Sequence, residues 1–500
     1  MNVATILQMA ADGHPDRIAV GTRVNGVSYQ TLRRLAAAGA ARIGSDTEVV
    51  AFVGQSGLAF VTAFFASASR GVPFVPLNYR LGAKALRGLL GRYTRPLIIA
   101  DSQQLPAIPD SVGAVVTTED WLAGFDGRDR ELDIVEPTAP ALYLYTSGTS
   151  ATPKAAILHH RHLAAYIFSS VEFASAGERD AALVSVPPYH IAGVANLLSN
   201  VFSGRRVVYL PSFDPENWLA TVRSERITQA MVVPTMLARI VESVGPGTAD
   251  TPTLTSLSYG GARMHESVLR RALRAFPDVG FVNAYGLTET SSSIAVLGPE
   301  EHRAALESTD PSVLRRLSSV GRVLPGVEIQ IRDDTGRALK PGVTGDVWVR
   351  GEQVSGEYAG SGSVCDADGW FPTKDAGWLD EQNYLFVEGR TDDTIIRGGE
   401  NIAPAEVEDV LLRHPAVLEA AAVGLPDEEW GHKVAAAVTL RPGEHAEPAE
   451  LCAWTREHLR GSRAAEVIVI RDELPRNDTG KLLRRQVLAD LLDTTVGQRS

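Results

Sequence analysis

Apolar runs of strand length alternate with stretches of helical periodicity through most of this chain. The segments TEVVAFVG, ALVSVPP, RRVVYL and QAMVVP are short and rich in β-branched residues, as buried strands are. The segments YQTLRRLAAAGAARI and HESVLRRALRAF carry apolar residues at the spacing of amphipathic helices. Strands that alternate with helices along a chain form sheets covered by helices. The sequence therefore predicts an α/β fold.

The pattern changes twice in the second half of the chain. Close-set strands with turn signals, such as GVEIQIRDDTGRAL, predict a mostly antiparallel β region from about residue 318 to 387. Beyond about residue 390, the segments APAEVEDVLLRHP, VLEAAAVGLP, HKVAAAVTL and AELCAWTREHLR predict a small α+β domain. Because 500 residues are several times the ~100 to 150 of one domain, at least two domains are expected.

Composition limits the class of partner and the compartment. The formal net charge of −12 argues against a general nucleic-acid or anionic-membrane surface, because such partners repel an acidic protein. The first twenty residues lack a signal-peptide pattern, and two cysteines cannot form a disulfide framework. The most apolar segment, residues 58–68, is shorter than the ~20 residues that span a bilayer and predicts a buried helix. We therefore expect a cytoplasmic protein without stable membrane insertion.

The segment YTSGTSATPK follows the apolar run ALYLY and combines a glycine, several hydroxyls and one of only six lysines in the chain. Backbone N–H groups and hydroxyls together can form an anion nest, here suited to a polyphosphate, and an ammonium suits a phosphate oxygen. The spacing is not that of a Walker loop. The alternative is a plain polar surface loop. The expected phosphate contacts are Thr146, Ser147, Gly148, Thr149, Ser150 and Lys154.

A second polar cluster, NAYGLTETSSS, follows the short apolar run GFV. Thr288 can hold a phosphate oxygen, and Glu289 can hold Mg²⁺, which proteins usually bind through one or two carboxylates together with substrate phosphates. Tyr285 offers a flat apolar face to a base. The alternative interpretation places Glu289 as a charge at a helix N-terminus and Tyr285 in the core.

Seven motifs occur in a fixed order: YTSGTSATPK, PPYHIAG, SYGGA, NAYGLTE, WFPTKDAGWL, GRTDDTIIRGGENIAPAEVE and LPRNDTGKLLRR. In order and spacing they resemble the adenylate-forming superfamily of acyl-CoA synthetases, peptide-synthetase adenylation domains and luciferases. The resemblance runs from about residue 141 to 485 and is strongest to bacterial CoA ligases, through GRTDDTIIRGGENI.

The resemblance implies a particular domain organisation. We expect a large N-terminal AMP-binding domain, residues 1–389, of mixed sheets with flanking helices and a β-barrel-like subdomain. A hinge at residues 390–392 then connects it to a small mobile α+β C-terminal domain, residues 393–500. One cleft with two domain poses serves both steps of such an enzyme, so φ/ψ changes should concentrate at the hinge, which the resemblance assigns to Asp392.

The resemblance also implies a two-step reaction with ATP, Mg²⁺ and CoA. A carboxylic acid is joined to the α-phosphate of ATP, and the acyl group then passes to a thiol. The first step needs positioning and charge neutralisation rather than a general base, because the carboxylate is already ionised. The resemblance assigns that charge to Lys481, and the ribose hydroxyls to Asp375 with help from Arg390. The remaining AMP-binding residues that it implies are Gly260, Gly261, Ala262, Asn283, Ala284, Tyr285 and Gly286.

Further residues are implied for the acyl group and the thiol. His190 would gate the passage between the acyl pocket and the thiol tunnel, although a packed or capping histidine is the alternative. The small residues of SYGGA, with Ala284, leave room, and we expect a bulky apolar acid. The expected CoA contacts are Gly398, Gly399, Trp430 and Arg463.

Three departures from the family pattern bear on these expectations. Ala151 and Ala155 replace two glycines of the phosphate loop, and alanine at a left-handed position costs on the order of 1 kcal/mol or more. Ser462 stands where many relatives have an aromatic residue, so a stacking surface for the CoA adenine is missing there. We therefore weigh four alternatives: thioester formation alone from a preformed acyl-AMP, acyl loading of a carrier-protein pantetheine, a non-catalytic nucleotide sensor, and a luciferase-type oxygenase.

Overall fold

The computed structural model describes residues 1–109, 112–125, 128, 130–146, 153–398, 400–427, 429–477 and 480–497. The chain forms two compact units. The first comprises Met1–Glu328 and Val349–Phe371, and the second comprises Ile329–Trp348 and Pro372–Ser500.

The strands of the described residues are β1 Ile18–Val20, β2 Val27–Ser28, β3 Val49–Val53, β4 Phe74–Pro76, β5 Pro96–Ala100, β6 Ala114–Thr117, β7 Pro140–Thr146, β8 Lys154–His159, β9 Ala181–Val184, β10 Arg206–Tyr209, β11 Gln229–Val232, β12 Ser256–Gly260, β13 Gly280–Leu287, β14 Ser292–Leu297, β15 Gly321–Val323, β16 Val327–Arg332, β17 Gly345–Gly351, β18 Glu357–Tyr358, β19 Gly362–Ser363, β20 Phe371–Leu379, β21 Tyr384–Arg390, β22 Ile395–Arg397, β23 Glu400–Ile402, β24 Val417–Asp427, β25 Gly431–Leu440 and β26 Val467–Ile470.

The α-helices are α1 Ala4–Gly13, α2 Tyr29–Arg42, α3 Leu58–Arg70, α4 Ala83–Leu90, α5 Thr118–Ala123, α6 His160–Ser170, α7 Ile191–Ser203, α8 Pro215–Ser224, α9 Pro234–Val244, α10 Glu266–Ala275, α11 Pro299–Glu307, α12 Pro311–Leu314, α13 Pro404–Leu411, α14 Pro448–His458 and α15 Arg484–Gly497. Short 3-10 turns lie at Ser102–Ala107, Thr288–Thr290, Arg315–Ser318 and Thr391–Asp393.

The first unit contains two sheets whose central strands are parallel. In one, the strands follow the order β15-β14-β13-β12-β11-β9-β10-β1-β2, and every pair from β13 to β1 is parallel. In the other, the order is β19-β18-β8-β7-β4-β3-β5-β6, with parallel pairs from β7 to β6. Helices connect most of the parallel strands, because strands that pair in parallel need a crossover connection. The predicted α/β fold is confirmed.

Helix α3 shows how the sequence produces a covering helix. It is apolar on nearly every side, and most of its residues are buried. The helix ends at Gly71, whose φ of 67° places it in the left-handed conformation of a C-cap. The prediction of a buried helix at residues 58–68 is confirmed. No helix in the described part of the chain is long and apolar enough to cross a bilayer.

The second unit contains the predicted C-terminal elements. Strands β24 and β25 pair antiparallel along their length, β26 pairs with β25, and helices α13 and α14 stand at the two predicted helical segments. A partly buried ion pair attaches α15, because Arg484 contacts both oxygens of the buried Glu408 and donates to the carbonyl of Ala422 at 2.9 Å.

The predicted β region is divided between the units. Strands β18 and β19 complete the eight-stranded sheet of the first unit, whereas β16, β17, β20 and β21 lie side by side and have most of their residues in the second. The boundary at residues 390–392 stays a prediction.

Two buried histidines begin helix α6. His160 accepts a hydrogen bond from the backbone N–H of Val3 on Nδ1, and its buried Nε2 has no partner among the described residues. Both ring nitrogens of His162 face donors, from the backbone of His159 and the guanidinium of Arg161. Burial, with neighbouring cations, lowers the pKa of His160 to about 4 and that of His162 to about 3. Both rings are therefore neutral at pH 7.

We expect the first unit to lose stability as the pH falls from 7 to 5. The folded pKa values lie below the unfolded value of about 6.5, so the stability is complete above pH 6.5 and is lost as protons bind the unfolded chain. The loss is about 2 kcal/mol per histidine over this interval. Denaturant unfolding at both pH values measures it. His160→Asn, which keeps an acceptor for Val3, should lose less than wild type on acidification, whereas the exposed control His445→Gln should match wild type. An unchanged pH loss in His160→Asn would contradict this.

Candidate active site

The loop that follows β12 lies at the carboxyl ends of parallel strands, where α/β proteins bind ligands. Gly260 pairs with Ala284 on β13, and a Cβ at position 260 would lie 2.3 Å from the carbonyl oxygen of Ala284. Gly261 has a φ of 82°, a Cβ at this position would lie 3.9 Å from Cγ1 of Val233, and both Gly261 and Ala262 are exposed. Glycine is thus required at 260 by the adjacent strand, and it is favoured at 261 by the left-handed backbone.

A buried hydrogen-bonded pair lies beneath this loop. The hydroxyl of Tyr259 donates to Nε2 of His302 at 2.8 Å, and Nδ1 of His302 donates to the carbonyl of Gly298 at 2.7 Å. Burial raises the pKa of Tyr259 and lowers the pKa of His302, so both groups are neutral. Sequence reasoning missed this pair, because nothing in the local pattern connects residues 43 positions apart.

Strand β13 ends in the second predicted cluster. Asn283 donates to the carbonyl of Ser319 at 3.3 Å, and Tyr285 is half-buried rather than part of the core. The ladder with β14 shifts register between Tyr285 and Gly286. A Cβ at Gly286 would lie 1.8 Å from the carbonyl oxygen of Ser292, so only glycine fits there.

Glu289 lies in the 3-10 turn Thr288–Thr290 and is only 7% exposed. The hydroxyl of Tyr358 donates to its Oε1 at 2.6 Å, and the backbone N–H of Ser355 donates to its carbonyl at 2.8 Å. Glu289 thus lies in the first turn of a 3-10 helix, as the alternative interpretation expects, but its side chain is buried and hydrogen-bonded rather than solvated. Thr288 is its neighbour at the start of the turn.

The predicted phosphate loop begins and ends on paired strands. Thr146 and Lys154 are the last partners of β7 and β8. Of the predicted contacts, Ser147, Gly148, Thr149 and Ser150 lie outside the described residues, as does Ala151. The ammonium of Lys154 lies 5.9 Å from the ring centre of Tyr358, within the range of a cation–π interaction.

Arg92 contacts both flanks of this segment. Its guanidinium lies 5.3 Å from the ring centre of Tyr145 and donates to the carbonyl of Pro153 at 2.9 Å. The hydroxyls of Tyr93 and Tyr145 are 2.9 Å apart. Sequence reasoning missed these contacts because Arg92 and Tyr93 precede the motif by more than 50 positions.

Ala155 does not strain the backbone, contrary to the expectation from the family pattern. It is paired with Tyr145 in strand β8 and is 2% exposed. It is absent from the described non-glycine residues with positive φ, so its methyl group is an ordinary buried strand side chain. The expected cost of alanine at this position was wrong because the glycine argument applies only to left-handed backbone.

Backbone strain is found instead beside Glu289 and Asp375. Ser291 and Ser292, just after Glu289, have φ values of 57° and 120°, and Lys374, just before Asp375, has a φ of 61°. Non-glycine residues in this region cost about 1 kcal/mol or more and occur preferentially at functional sites. Gln353 stabilises the first strained turn, since its amide donates to the carbonyls of Thr290 and Ser293.

The predicted ribose residues lie together in the second unit. Asp375 on β20 pairs with Arg390 on β21, and the Arg390 guanidinium contacts Oδ1 of Asp375 at 3.3 Å and the carbonyl of Thr373 at 3.2 Å. Asp375 is buried, and its backbone N–H donates to the Thr373 hydroxyl. Asp392, the predicted hinge, is exposed in the 3-10 turn Thr391–Asp393.

Lys481 is exposed at the end of a short turn. Its backbone N–H donates to Oδ1 of Asn477 at 2.8 Å, and Arg476 donates to the carbonyl of Gly480 at 2.8 Å and to Glu419 at 2.7 Å. The backbone at Lys481 is therefore fixed while its side chain faces solvent. Arg476 and Asn477 lie within the motif LPRNDTGKLLRR, but no role was predicted for them.

His190 occupies the N-cap position of helix α7, but its side chain does not cap the helix. Its ring lies 5.9 Å from that of Tyr189, which in turn lies 5.9 Å from the ring of Tyr79. The capping alternative is therefore not supported, and the gate stays a prediction.

The predicted thiol-site residues lie in the second unit. Trp430 is 46% exposed, and its carbonyl accepts from the backbone N–H of Gly398 at 2.8 Å; Gly399 lies outside the described residues. Arg463 contacts Glu400 and Glu406, each at 2.6 Å, and these carboxylates raise its pKa. Arg463 is thus already paired within the protein.

In this arrangement, Glu289 would be the single carboxylate ligand that the described part of the protein supplies to Mg²⁺. In the part of the chain that the structure describes, no three His, Cys, Asp or Glu side chains could together hold a metal ion. Glu289, a buried carboxylate beside Thr288, fits the usual Mg²⁺ site, in which phosphates and water supply the other ligands.

The chain matches the family model of the AMP-binding enzymes over residues 7–359 and that of their C-terminal domain over residues 406–481. It belongs to the AMP-binding enzyme family, in the acyl-CoA ligase branch of the adenylate-forming superfamily, which confirms the resemblance. The chain is an enzyme of the AMP-forming acid–thiol ligase class.

Relatives resemble the chain over nearly its full length. It is 33% identical to a fatty acid–[acyl-carrier-protein] ligase of Streptomyces coeruleorubidus, over 88% of this chain and 86% of the relative. It is 30% identical to an indoleacetate–CoA ligase of Aromatoleum aromaticum, over 97% and 98% respectively. The o-succinylbenzoate CoA synthetase of Bacillus subtilis, solved with its acyl-adenylate intermediate, matches with a TM-score of 0.81 and 29% identity, over 96% of this chain and 97% of that one.

Substitution at Gly260 should damage the site more than substitution at Gly261. Gly260→Ala forces a Cβ against the carbonyl of Ala284, and we expect a loss of more than about 2 kcal/mol together with weaker AMP binding. Gly261→Ala adds a Cβ that meets only an ordinary contact with Val233, so it should cost about 1 kcal/mol, from its left-handed φ. Thermal unfolding and AMP titration calorimetry measure both effects. Equal behaviour of the two variants would contradict the packing interpretation.

Proposed function

We propose that this protein activates a bulky apolar carboxylic acid with ATP and Mg²⁺ to an acyl-adenylate and transfers the acyl group to CoA. The observation that best supports the adenylation step is that Tyr358 contacts two groups. These are Lys154, the lysine of the phosphate segment, and Glu289, the buried carboxylate. The Bacillus subtilis synthetase was also solved with ATP and a magnesium ion, which supports the same nucleotide and metal for this chain.

Each of the chain's own groups has a defined task in this proposal. Lys154 and the hydroxyls of the phosphate segment bind the β- and γ-phosphates, and Asp375 with Arg390 orients the ribose. Glu289, with Thr288, would hold Mg²⁺, which supplies charge neutralisation at the phosphates when bound. Lys481 neutralises the charge that develops between the substrate carboxylate and the α-phosphate. Asp392 is the hinge that brings Lys481 to the nucleotide for the first step only.

We expect Lys481→Ala to abolish adenylation and to spare thioester formation. The ammonium acts only while the acid and the α-phosphate react, so the loss should be at least about 10³-fold in pyrophosphate exchange, with acyl transfer from synthetic acyl-AMP nearly unchanged. Pyrophosphate exchange and thioester release measure the two half-reactions separately.

The neighbouring exposed residue Arg485 supplies the control, since Arg485→Ala should leave both half-reactions intact. Equal loss of both half-reactions in Lys481→Ala would remove the proposed role. Absence of pyrophosphate exchange in the wild-type enzyme would favour the alternative of thioester formation from a preformed acyl-AMP.

The acid is proposed from the small side chains around the SYGGA loop. Gly261 and Ala262 are exposed, and a Cβ at Gly261 would make only an ordinary contact, 3.9 Å from Cγ1 of Val233. Several relatives are named for acids that carry an aromatic ring: indoleacetate, ferulate and 2-succinylbenzoate. A larger apolar acid buries more surface beside such small side chains, which favours its binding.

A carrier-protein pantetheine is the second candidate acceptor. Arg463, expected to meet CoA, is held by Glu400 and Glu406, and Ser462 donates to Glu400 at 2.9 Å instead of offering a stacking surface. An acceptor that presents only the pantetheine arm needs neither group. The Streptomyces coeruleorubidus relative is named for a carrier-protein acceptor.

A panel of acids of increasing size tests the substrate, and two thiols test the acceptor. From acetate to aryl acids we expect kcat/KM for pyrophosphate exchange to rise at least about tenfold, as apolar burial predicts. Saturation by acetate without gain from larger acids would refute a bulky substrate. With the best acid, CoA and a holo carrier protein then compete; preferential acylation of CoA is expected, and preference for the carrier would select the second candidate.

A further inference from the structure

Tyr358 contacts both Lys154 and Glu289, although no motif assigned it a role. Its hydroxyl donates to Oε1 of Glu289 at 2.6 Å, at the short end of the range for an O–H···O hydrogen bond. Its ring centre lies 5.9 Å from the ammonium of Lys154. The Tyr358 side chain therefore contacts both an ammonium and a carboxylate. The proposed function assigns these two groups to the binding of the same nucleotide.

The backbone around Tyr358 is fixed by long-range contacts. Strand β18 pairs antiparallel with β8, with Tyr358 opposite Ala156 and Glu357 opposite Ile157. The Glu357 carboxylate accepts from Nε2 of His159 at 2.8 Å, at the end of β8. Tyr358 is thus held beside the strand that begins with Lys154.

The same segment is also fastened to the turn that carries Glu289. The backbone N–H of Ser355 donates to the carbonyl of Glu289, and the Ser355 hydroxyl donates to the carbonyl of Ile157. The Gln353 amide donates to the carbonyl of Thr290 at 2.9 Å. Glu289 and Tyr358 therefore belong to one hydrogen-bonded network, with no need for either side chain to move to meet the other.

We propose that Tyr358 is a positioning residue for the ATP half-reaction, which orients the Glu289 carboxylate for Mg²⁺ and holds the Lys154 ammonium at the phosphate segment. The inference rests on the proposed roles of Glu289 and Lys154. The hydroxyl occupies Oε1 and leaves Oε2 as the oxygen for the metal. Groups that hydrogen-bond to a metal ligand fix its orientation, and their removal weakens metal binding.

Tyr358→Phe tests the hydroxyl alone, because it keeps the ring beside Lys154. We expect the Mg²⁺ concentration that gives half of the ATP-dependent thermal shift to rise about tenfold. The same increase should appear in pyrophosphate exchange, while thioester formation from synthetic acyl-AMP keeps its rate. Tyr358→Leu removes the ring as well and should additionally raise the KM for ATP. Tyr166→Phe on helix α6 is the matched control and should behave as wild type.

A double-mutant cycle separates this inference from the proposed function. In a Glu289→Gln background, Tyr358→Phe should have no further effect on the Mg²⁺ dependence of ATP binding. If Glu289→Gln weakens that dependence but Tyr358→Phe does not, the positioning role is overturned and the proposed function stands. If Glu289→Gln leaves the Mg²⁺ dependence unchanged, the proposed role of Glu289 fails. A general loss of melting temperature in Tyr358→Phe without a change in Mg²⁺ dependence would mark a merely structural role and also overturn the inference.

Discussion

The candidate site depends on the antiparallel pairing of β8 with the two-residue strand β18. Ile157 and Ser355, joined by a hydrogen bond across this pairing, are 198 positions apart in the chain. Closing so long a segment costs conformational entropy, which local contacts must offset. Gln353, Ser355 and Glu357 each use their side chains for that purpose. The proximity of Tyr358 to Lys154 and Glu289 follows from this pairing.

The alternation of side chains along strand β8 explains why alanine is tolerated at position 155. In an extended strand, successive residues point to opposite faces, and a methyl group on either face meets ordinary packing. Both Ala155 and Ala156 are almost fully buried in β8. Gly260 and Gly286 differ because the carbonyl of an adjacent strand occupies the place of their Cβ. A glycine in a motif can therefore be required for either of two reasons: a neighbouring backbone lies too close for a Cβ, or its own backbone is left-handed. Only the structure distinguishes these two reasons.

The sequence predicted individual helices and strands better than the contacts between residues that are distant in the chain. Period and composition identified α3, β9, β10 and β11, because each is buried along a single local pattern. Motif order predicted that Asp375 and Arg390 share a site, and they pair across β20 and β21. The contacts of Tyr358, Arg92 and His302 escaped prediction, since each joins residues distant in the chain and single-sequence patterns carry no information about such pairs.

The charged residues of the second unit divide into those already paired and those that face solvent. Arg463 is held by two carboxylates, and Arg390 contacts the buried Asp375, so each stabilises its own unit. Lys481 is exposed on a backbone that Asn477 and Arg476 fix. A fixed backbone under a solvated ammonium lowers the entropy cost of placing that charge on a substrate, while the ammonium keeps its hydration until it is used. A paired guanidinium must first break its ion pairs. Under the proposed function, Lys481 is therefore better prepared to meet the α-phosphate of ATP than Arg463 is to meet a phosphate of CoA.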